Sequence, residues 1–292
     1  MDAASRAQWA LGIAFSRDDV GHTDWNQAAA ILAAACALPG AQGLESRALE
    51  QAMELAAERF SRSPKRAALP AVPGEEDAGF DDLIGFTAAA LRHGGLATNY
   101  VAFTLRACEL ADRQLTQQEK TRLTRVVRSV LVVREVDRYL GGRREAQPGL
   151  PKDLWEAQQL LEAQAVEQLE FIAPDQVFKG TRVAFVGELI HGVIHAYAVR
   201  QVLRLVPQTA RMPQTRLAEQ ISAQQHLIEL NPPQQFDDLN PPSSLDYLEV
   251  LGQGFDDPEK LQFACCAREL YDAHDRPEAW EAHIARTLAA LE

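Results

Sequence analysis

Thr116-Gln-Gln-Glu119-Lys-Thr-Arg-Leu123-Thr-Arg-Val126-Val127-Arg-Ser-Val130-Leu-Val-Val133-Arg-Glu-Val-Asp-Arg-Tyr-Leu140-Gly141-Gly142 is the one stretch of the chain rich enough in valine to pass for a strand. Its periodicity decides otherwise. Leu123, Val126, Val127, Val130, Val133 and Leu140 recur at intervals of three and four, with Arg122, Arg125 and Arg138 opposite them, which is the spacing of one apolar helix face. Thr116 and Glu119 make a capping box, the threonine accepting from an orphan N–H and the glutamate reaching back. Gly141-Gly142 supplies the stop. With this stretch read as helix, nothing that alternates like a β-sheet remains, because alanine, leucine, glutamine, glutamate and arginine dominate elsewhere.

Working outward, the same reasoning places helices at 3–16, 24–38, 44–61, 80–92, 96–113, 116–140, 152–171, 176–206, 213–229, 244–251, 258–273 and 277–291. Prolines mark two loops, Ser61 to Gly79 and Asn231 to Ser244. The expectation is an all-α protein: a single-domain multi-helix bundle over 1–292 with an interhelical pocket. Residues 1–62 would form an N-terminal helical layer joined by the Pro-rich loop 63–79. At 292 residues and 47% apolar composition, folding removes about three quarters of the unfolded chain's accessible surface.

The net charge is −12, and no lysine or arginine cluster offsets it. That balance argues against nucleic acid and against an anionic membrane surface as partners, since both are bound by neutralising phosphates. No apolar run approaches the roughly 20 residues that cross a bilayer. The start lacks a basic region followed by an apolar one. The four cysteines, Cys36, Cys108, Cys265 and Cys266, lack CxxC spacing. The expected location is therefore cytoplasmic, and homodimerisation is the default for so apolar a chain. Cys265 and Cys266 read as small hydrophobes in an apolar stripe.

The densest polar signal lies in Val183-Ala-Phe-Val-Gly-Glu188-Leu-Ile-His191-Gly-Val-Ile-His195-Ala-Tyr197-Ala-Val-Arg200. Glu188, His191 and His195 fall within roughly 60° of one another around a helix. One face thus offers a carboxylate and two imidazoles, a partial ligand set for non-haem iron, manganese or zinc. Glu188 and His195 have the Glu-x6-His spacing of haem-oxygenase-like di-iron proteins, and the remaining ligands would come from residues such as Glu219, Glu269 or His226. The alternative is structural: histidines on a buried helix hydrogen-bond neighbours, and Glu188 with His191 is an ordinary i,i+3 pair. A second cluster, His93-Gly-Gly-Leu-Ala-Thr98-Asn99-Tyr100, reads as helix punctuation, with Gly94-Gly95 ending one helix and Thr98 or Asn99 starting the next. Its functional reading turns Asn99 and Tyr100 into a pocket shared with the Glu188 helix. No GxGxxG, P-loop, GxSxG or HExxH is present.

Three segments resemble the questin oxidase-like family, all-α proteins related to fungal enzymes that open anthraquinone rings in a Baeyer–Villiger-like oxidation. Gly95-Leu-Ala-Thr-Asn99-Tyr100-Val-Ala-Phe is similar to the family's Ser-Asn-His-containing helix start. Glu188-Leu-Ile-His191-Gly-Val-Ile-His195-Ala-Tyr197 resembles its central histidine-rich helix, and Lys260-Leu-Gln-Phe-Ala-Cys-Cys-Ala-Arg-Glu-Leu its C-terminal helix. Tyr100 stands where the family has histidine, Asp257-Pro-Glu supplies no histidine ahead of Lys260, and the family's late His-Thr-Gly has no counterpart. The resemblance implies an oxidoreductase, a monooxygenase of secondary metabolism, acting on an aromatic or polyketide-like molecule. His191, His195 and Tyr100 would be its catalytic groups, and Asn99, His93 and Tyr197 its substrate-binding ones. It also implies NADPH as reductant. In the metal alternative Glu188, His191 and His195 bind iron. A third expectation is a non-catalytic helical protein that binds a ligand or a partner.

Overall fold

The computed structural model describes residues 2–17, 22–64, 83–84, 95–132, 149–171, 176–178, 181–183, 185–230 and 257–290. These form ten α-helices and one short hairpin. The helices are α1 (Ala3–Ala14), α2 (His22–Ala37), α3 (Gly43–Arg62), α4 (Leu96–Leu110), α5 (Gln117–Val132) and α6 (Leu154–Glu167). The hairpin strands β1 (Gln176–Phe178) and β2 (Thr181–Val183) come next, then α7 (Phe185–Leu205), α8 (Arg211–Leu230), α9 (Pro258–Ala273) and α10 (Glu278–Ala290). The all-α reading holds, and no described helix is long and apolar enough to cross a membrane. The segments read as helix at 244–251, in most of 80–92 and in 133–140 lie outside the described residues, as do almost all of the two proline-marked loops.

Local sequence explains most boundaries. The Asp2 carboxylate accepts from Ser5 N at 2.8 Å, and Asp153 accepts from Trp155 N and Glu156 N at 2.9 and 2.8 Å. Asp257 accepts from Glu259 N at 2.9 Å, with Pro258 at the first helical position. Each satisfies an orphan donor of a helix start. The capping box forms as its spacing requires: Thr116 N donates to Glu119 Oε2 at 2.8 Å, and Glu119 N to Thr116 Oγ1 at 3.3 Å.

The expected helix over 176–206 is corrected at its start. Val177 pairs with Arg182 and Phe178 with Thr181 in an antiparallel ladder, and the helix begins only at Phe185. The physical reason is legible afterwards: Val-Phe and Thr-Arg-Val flank a Lys179-Gly180 dipeptide, and β-branched residues across a two-residue gap with glycine favour a hairpin.

Two helices organise the bundle. α2 packs against α1, α3, α4 and α9, and α7 against α4, α6, α8 and α9, so α4 and α9 bridge the two. Every residue from Ala28 to Ala37 is buried. Along α7 from Leu189 to Leu203 only His191 and Arg200 escape full burial. A helix without a polar face must be enclosed on all sides, and alanine makes this feasible in α2 by letting four neighbours approach closely. Cys36, Cys108, Cys265 and Cys266 are all buried and free. Burial lifts Cys36, Cys265 and Cys266 well above the ordinary thiol range and Cys108 to about 11, so they pack as small hydrophobes.

A buried carboxylate ties the second half of the chain together. Glu162 of α6 has no solvent-exposed side-chain surface and accepts from Arg200 Nη1 at 2.8 Å, His274 Nε2 at 2.5 Å and Gln158 Nε2 at 2.9 Å. Gln158 Nε2 also donates to the Ala196 carbonyl at 2.9 Å. His274 is delivered by the α9–α10 turn, in which Asp275 and Arg276 both adopt φ of 57°, and its ring packs 4.8 Å from that of Trp280. Replacing Glu162 by alanine removes the buried carboxylate from a guanidinium and an imidazole that keep only 22% and 18% of their exposure. Glu162→Ala is expected to cost about 3–5 kcal/mol, read as a lowered urea midpoint with an unchanged slope.

Candidate functional site

The beginnings of α4 and α9 meet the first half of α7, α2 reaches the same place through the start of α9, and polar residues collect there. His191 Nε2–H donates to Glu259 Oε2 at 2.7 Å. The other carboxylate oxygen accepts from Asn26 Nδ2 at 2.7 Å, and Asn26 is held in turn by Gln262 Nε2, which donates to its side-chain oxygen at 2.8 Å and its carbonyl at 3.1 Å. One chain of hydrogen bonds thus joins α7, α9 and α2. The imidazole and the carboxylate are 20% and 25% exposed, so the pair is reachable from solvent and also fixed. With Nε2 donating to a carboxylate, the neutral ring carries its lone pair on Nδ1.

His195 stands in a different environment. It is fully buried, and its Nδ1–H donates to Gln220 Oε1 of α8 at 2.7 Å. Burial outweighs that hydrogen bond and holds its pKa down to about 4, so the ring is neutral at physiological pH. Its Nε2 is buried with no hydrogen-bond partner among the described residues. The ring lies directly over Gly95, the residue that starts α4: a β-carbon there would stand 2.4–2.5 Å from three ring atoms, and φ at Gly95 is +81°. Only glycine meets both conditions. The helix therefore starts one residue after Gly95, with Thr98 and Asn99 inside its first turn and not at the cap.

Asn99 and Tyr100 are both buried. Asn99 lies one turn after Gly95, and its Oδ1 is another buried acceptor without a partner among the described residues. The Tyr100 ring sits 6.0 Å from that of Trp25. Burial, reinforced by the nearby Glu259 and Asp24 carboxylates, raises the Tyr100 hydroxyl well above the usual phenol range. Tyr100 consequently stays protonated at physiological pH. Tyr197 belongs to another neighbourhood, stacked 5.9 Å from Phe103, where burial holds its hydroxyl well above the usual phenol range. His93 lies outside the described residues, as does the side chain of Glu188.

The two histidines expected to share a face send their rings to different helices, His191 to α9 and His195 to α8. Among the described residues no group of three or more histidine, cysteine, aspartate or glutamate side chains is placed to hold a metal ion. Glu219 is taken by Arg216 at 2.6 and 2.8 Å, and Glu269 lies 3.4 Å from Arg268. The described residues thus do not supply an iron site. Glu259, Asn26 and Gln220 escaped sequence reasoning. Their one signal was Asp257-Pro-Glu, a helix start whose carboxylate occupies the region searched for a histidine. Compared with family models, curated proteins and solved structures, the chain shows no match.

Two expectations follow. Gly95→Ala forces a β-carbon into the His195 ring at a left-handed position and should lower stability by about 2–4 kcal/mol, measured by equilibrium denaturation. His195 takes up its proton near 6.5 when unfolded and near 4 when folded. The stability tied to its neutral state is thus complete above pH 6.5 and falls as pH drops toward 4, by about 3 kcal/mol in all. His195→Asn keeps a donor for Gln220 and should remove that part of the pH slope.

Proposed function

We propose that the chain is an enzyme acting on an aromatic small molecule, with His191 as general base and Glu259 as the residue that orients it. The observation that supports this reading is the accessible, doubly anchored pair: His191 Nε2 on Glu259 at 2.7 Å, and the same carboxylate on Asn26 at 2.7 Å. A carboxylate behind an imidazole fixes its tautomer and stabilises the imidazolium formed when Nδ1 takes a proton. A phenol is a fitting donor, since hydrogen bonds to the phenolate that forms narrow the gap between its acidity and that of an imidazolium. Tyr100, held protonated, would donate toward the oxyanion that develops.

That the reaction is an oxidation, with NADPH as reductant, rests on the resemblance of the Asn99, His191–His195 and Lys260 segments to the questin oxidase-like family. An iron ion would need ligands beyond those of the described residues. His195, sealed and neutral, serves as a positioning residue for α4 and α8 under either chemistry.

The test pairs turnover with stability. Purified protein is supplied with hydroxynaphthalenes and hydroxyanthraquinones, NADPH and dioxygen, and oxygen consumption is followed for wild type, His191→Gln and Glu259→Gln. Turnover by wild type is expected, with a loss of about 10²–10⁴ in His191→Gln and a smaller loss in Glu259→Gln. Because the pair is partly exposed, each substitution should change stability by about 1 kcal/mol or less. No turnover of any phenol, or variants that lose several kcal/mol with turnover intact, would assign the pair to a purely structural clamp.

A further inference from the structure

Away from His191, α6 and α8 run side by side in the same direction. They are pinned at their starts, where Gln214 Nε2 donates to the Leu154 carbonyl at 2.7 Å and Arg211 Nη2 to the Lys152 carbonyl at 2.6 Å. They are tied again further along, where Gln168 Nε2, just past the end of α6, donates to the Ile221 carbonyl midway along α8 at 2.8 Å. Beside these ties the two helices leave a cleft. Leu160, Gln164 and Glu167 form one wall, and the smaller Ala218 and Ser222, followed by Gln225, form the other. Both sets are spaced i, i+4, i+7, so each is a single ridge. The space left is a cleft of about 400 Å³, within the range of small-molecule sites.

Its chemistry is specific. The body is apolar, with Leu161, Ile221 and Phe171 contributing, and Leu160 is 43% exposed despite its size. Gln168 is 96% removed from solvent, being 4% exposed. Its amide nitrogen is committed to Ile221, and its Oε1 is a buried acceptor with no partner among the described residues. Such an atom is costly unless something donates to it. Among the described residues Glu167 is the only charged one that lines the cleft, and the chain as a whole carries −12. An acceptor, a carboxylate and an apolar trough together select a cation with a hydrophobic body and exclude an anion.

We infer that the α6–α8 cleft is a binding site for an amphipathic amine, its apolar body along Leu160, Leu161 and Phe171 and its ammonium donating to Gln168 and paired with Glu167. This site is separate from the His191–Glu259 pair and stands whether or not that pair is catalytic.

Isothermal titration calorimetry with 1-naphthylmethylamine and its anionic counterpart 1-naphthoate tests it on the full-length protein. Saturable one-to-one binding of the amine is expected, at least tenfold tighter than the carboxylate. Glu167→Gln should weaken the amine several-fold, and Ser222→Trp, which fills the trough from a half-buried position, should abolish its binding while cooperative unfolding is retained. Absence of saturable amine binding, equal affinity for naphthoate, or an affinity untouched by both substitutions would overturn the assignment. Should Ser222→Trp fail to fold, the Glu167→Gln titration and the amine-to-carboxylate ratio decide alone.

Discussion

Enclosure of two helices on every side is the constraint from which the rest of this molecule follows. α2 carries an unbroken buried run from Ala28 to Ala37, and α7 is buried nearly throughout from Leu189 to Leu203. Neither can face water, so each needs a full ring of neighbours, and a chain of this length provides two rings only by sharing members. α4 and α9 belong to both. Their shared position brings Asn99, Tyr100 and Glu259 to the side of α7 that carries His191 and His195. The candidate site is thus a by-product of how two apolar cylinders are covered.

Polar groups caught inside such an arrangement must be satisfied, and the chain does this in three ways. Glu162 is surrounded by donors from its own helix, from α7 and from the α9–α10 turn. His195 is kept neutral and, among the described residues, bonded on one nitrogen only. His191 keeps contact with solvent and is stabilised by a carboxylate that is itself anchored. The three differ in their capacity for chemistry. A fully compensated carboxylate is a structural element, a sealed neutral imidazole is a spacer, and an accessible imidazole with an oriented partner is equipped to move a proton.

Much of this was legible in the sequence where the deciding interaction is local. The Thr116–Glu119 box spans three residues and forms as written; the helix class follows from intervals of three and four. The hairpin at Gln176–Val183 was obscured because its apolar residues merge with those of the following helix, and period alone does not separate a short strand from a helix start. The site was half legible. The α7 histidines announced themselves by spacing, but their partners lie at sequence distances of 68 for Glu259 and 25 for Gln220. The 40° between His191 and His195 around the helix, small on a wheel, suffices to give them different neighbouring helices. Glu162 carried no local signal at all, since a glutamate in an amphipathic helix normally marks the solvent side.

The alanine run of α2 has a consequence for the order in which the molecule comes apart. Its amides between Ala28 and Ala37 sit behind four other helices, so no local fraying exposes them, and hydrogen exchange there reports global opening alone. α10, whose main contacts among the described residues are with α6, the turn at Gln168–Phe171 and α9, lies outside that interior. The protein is thereby layered in its protection: a slow centre built from its smallest side chains, and a periphery that breathes around it.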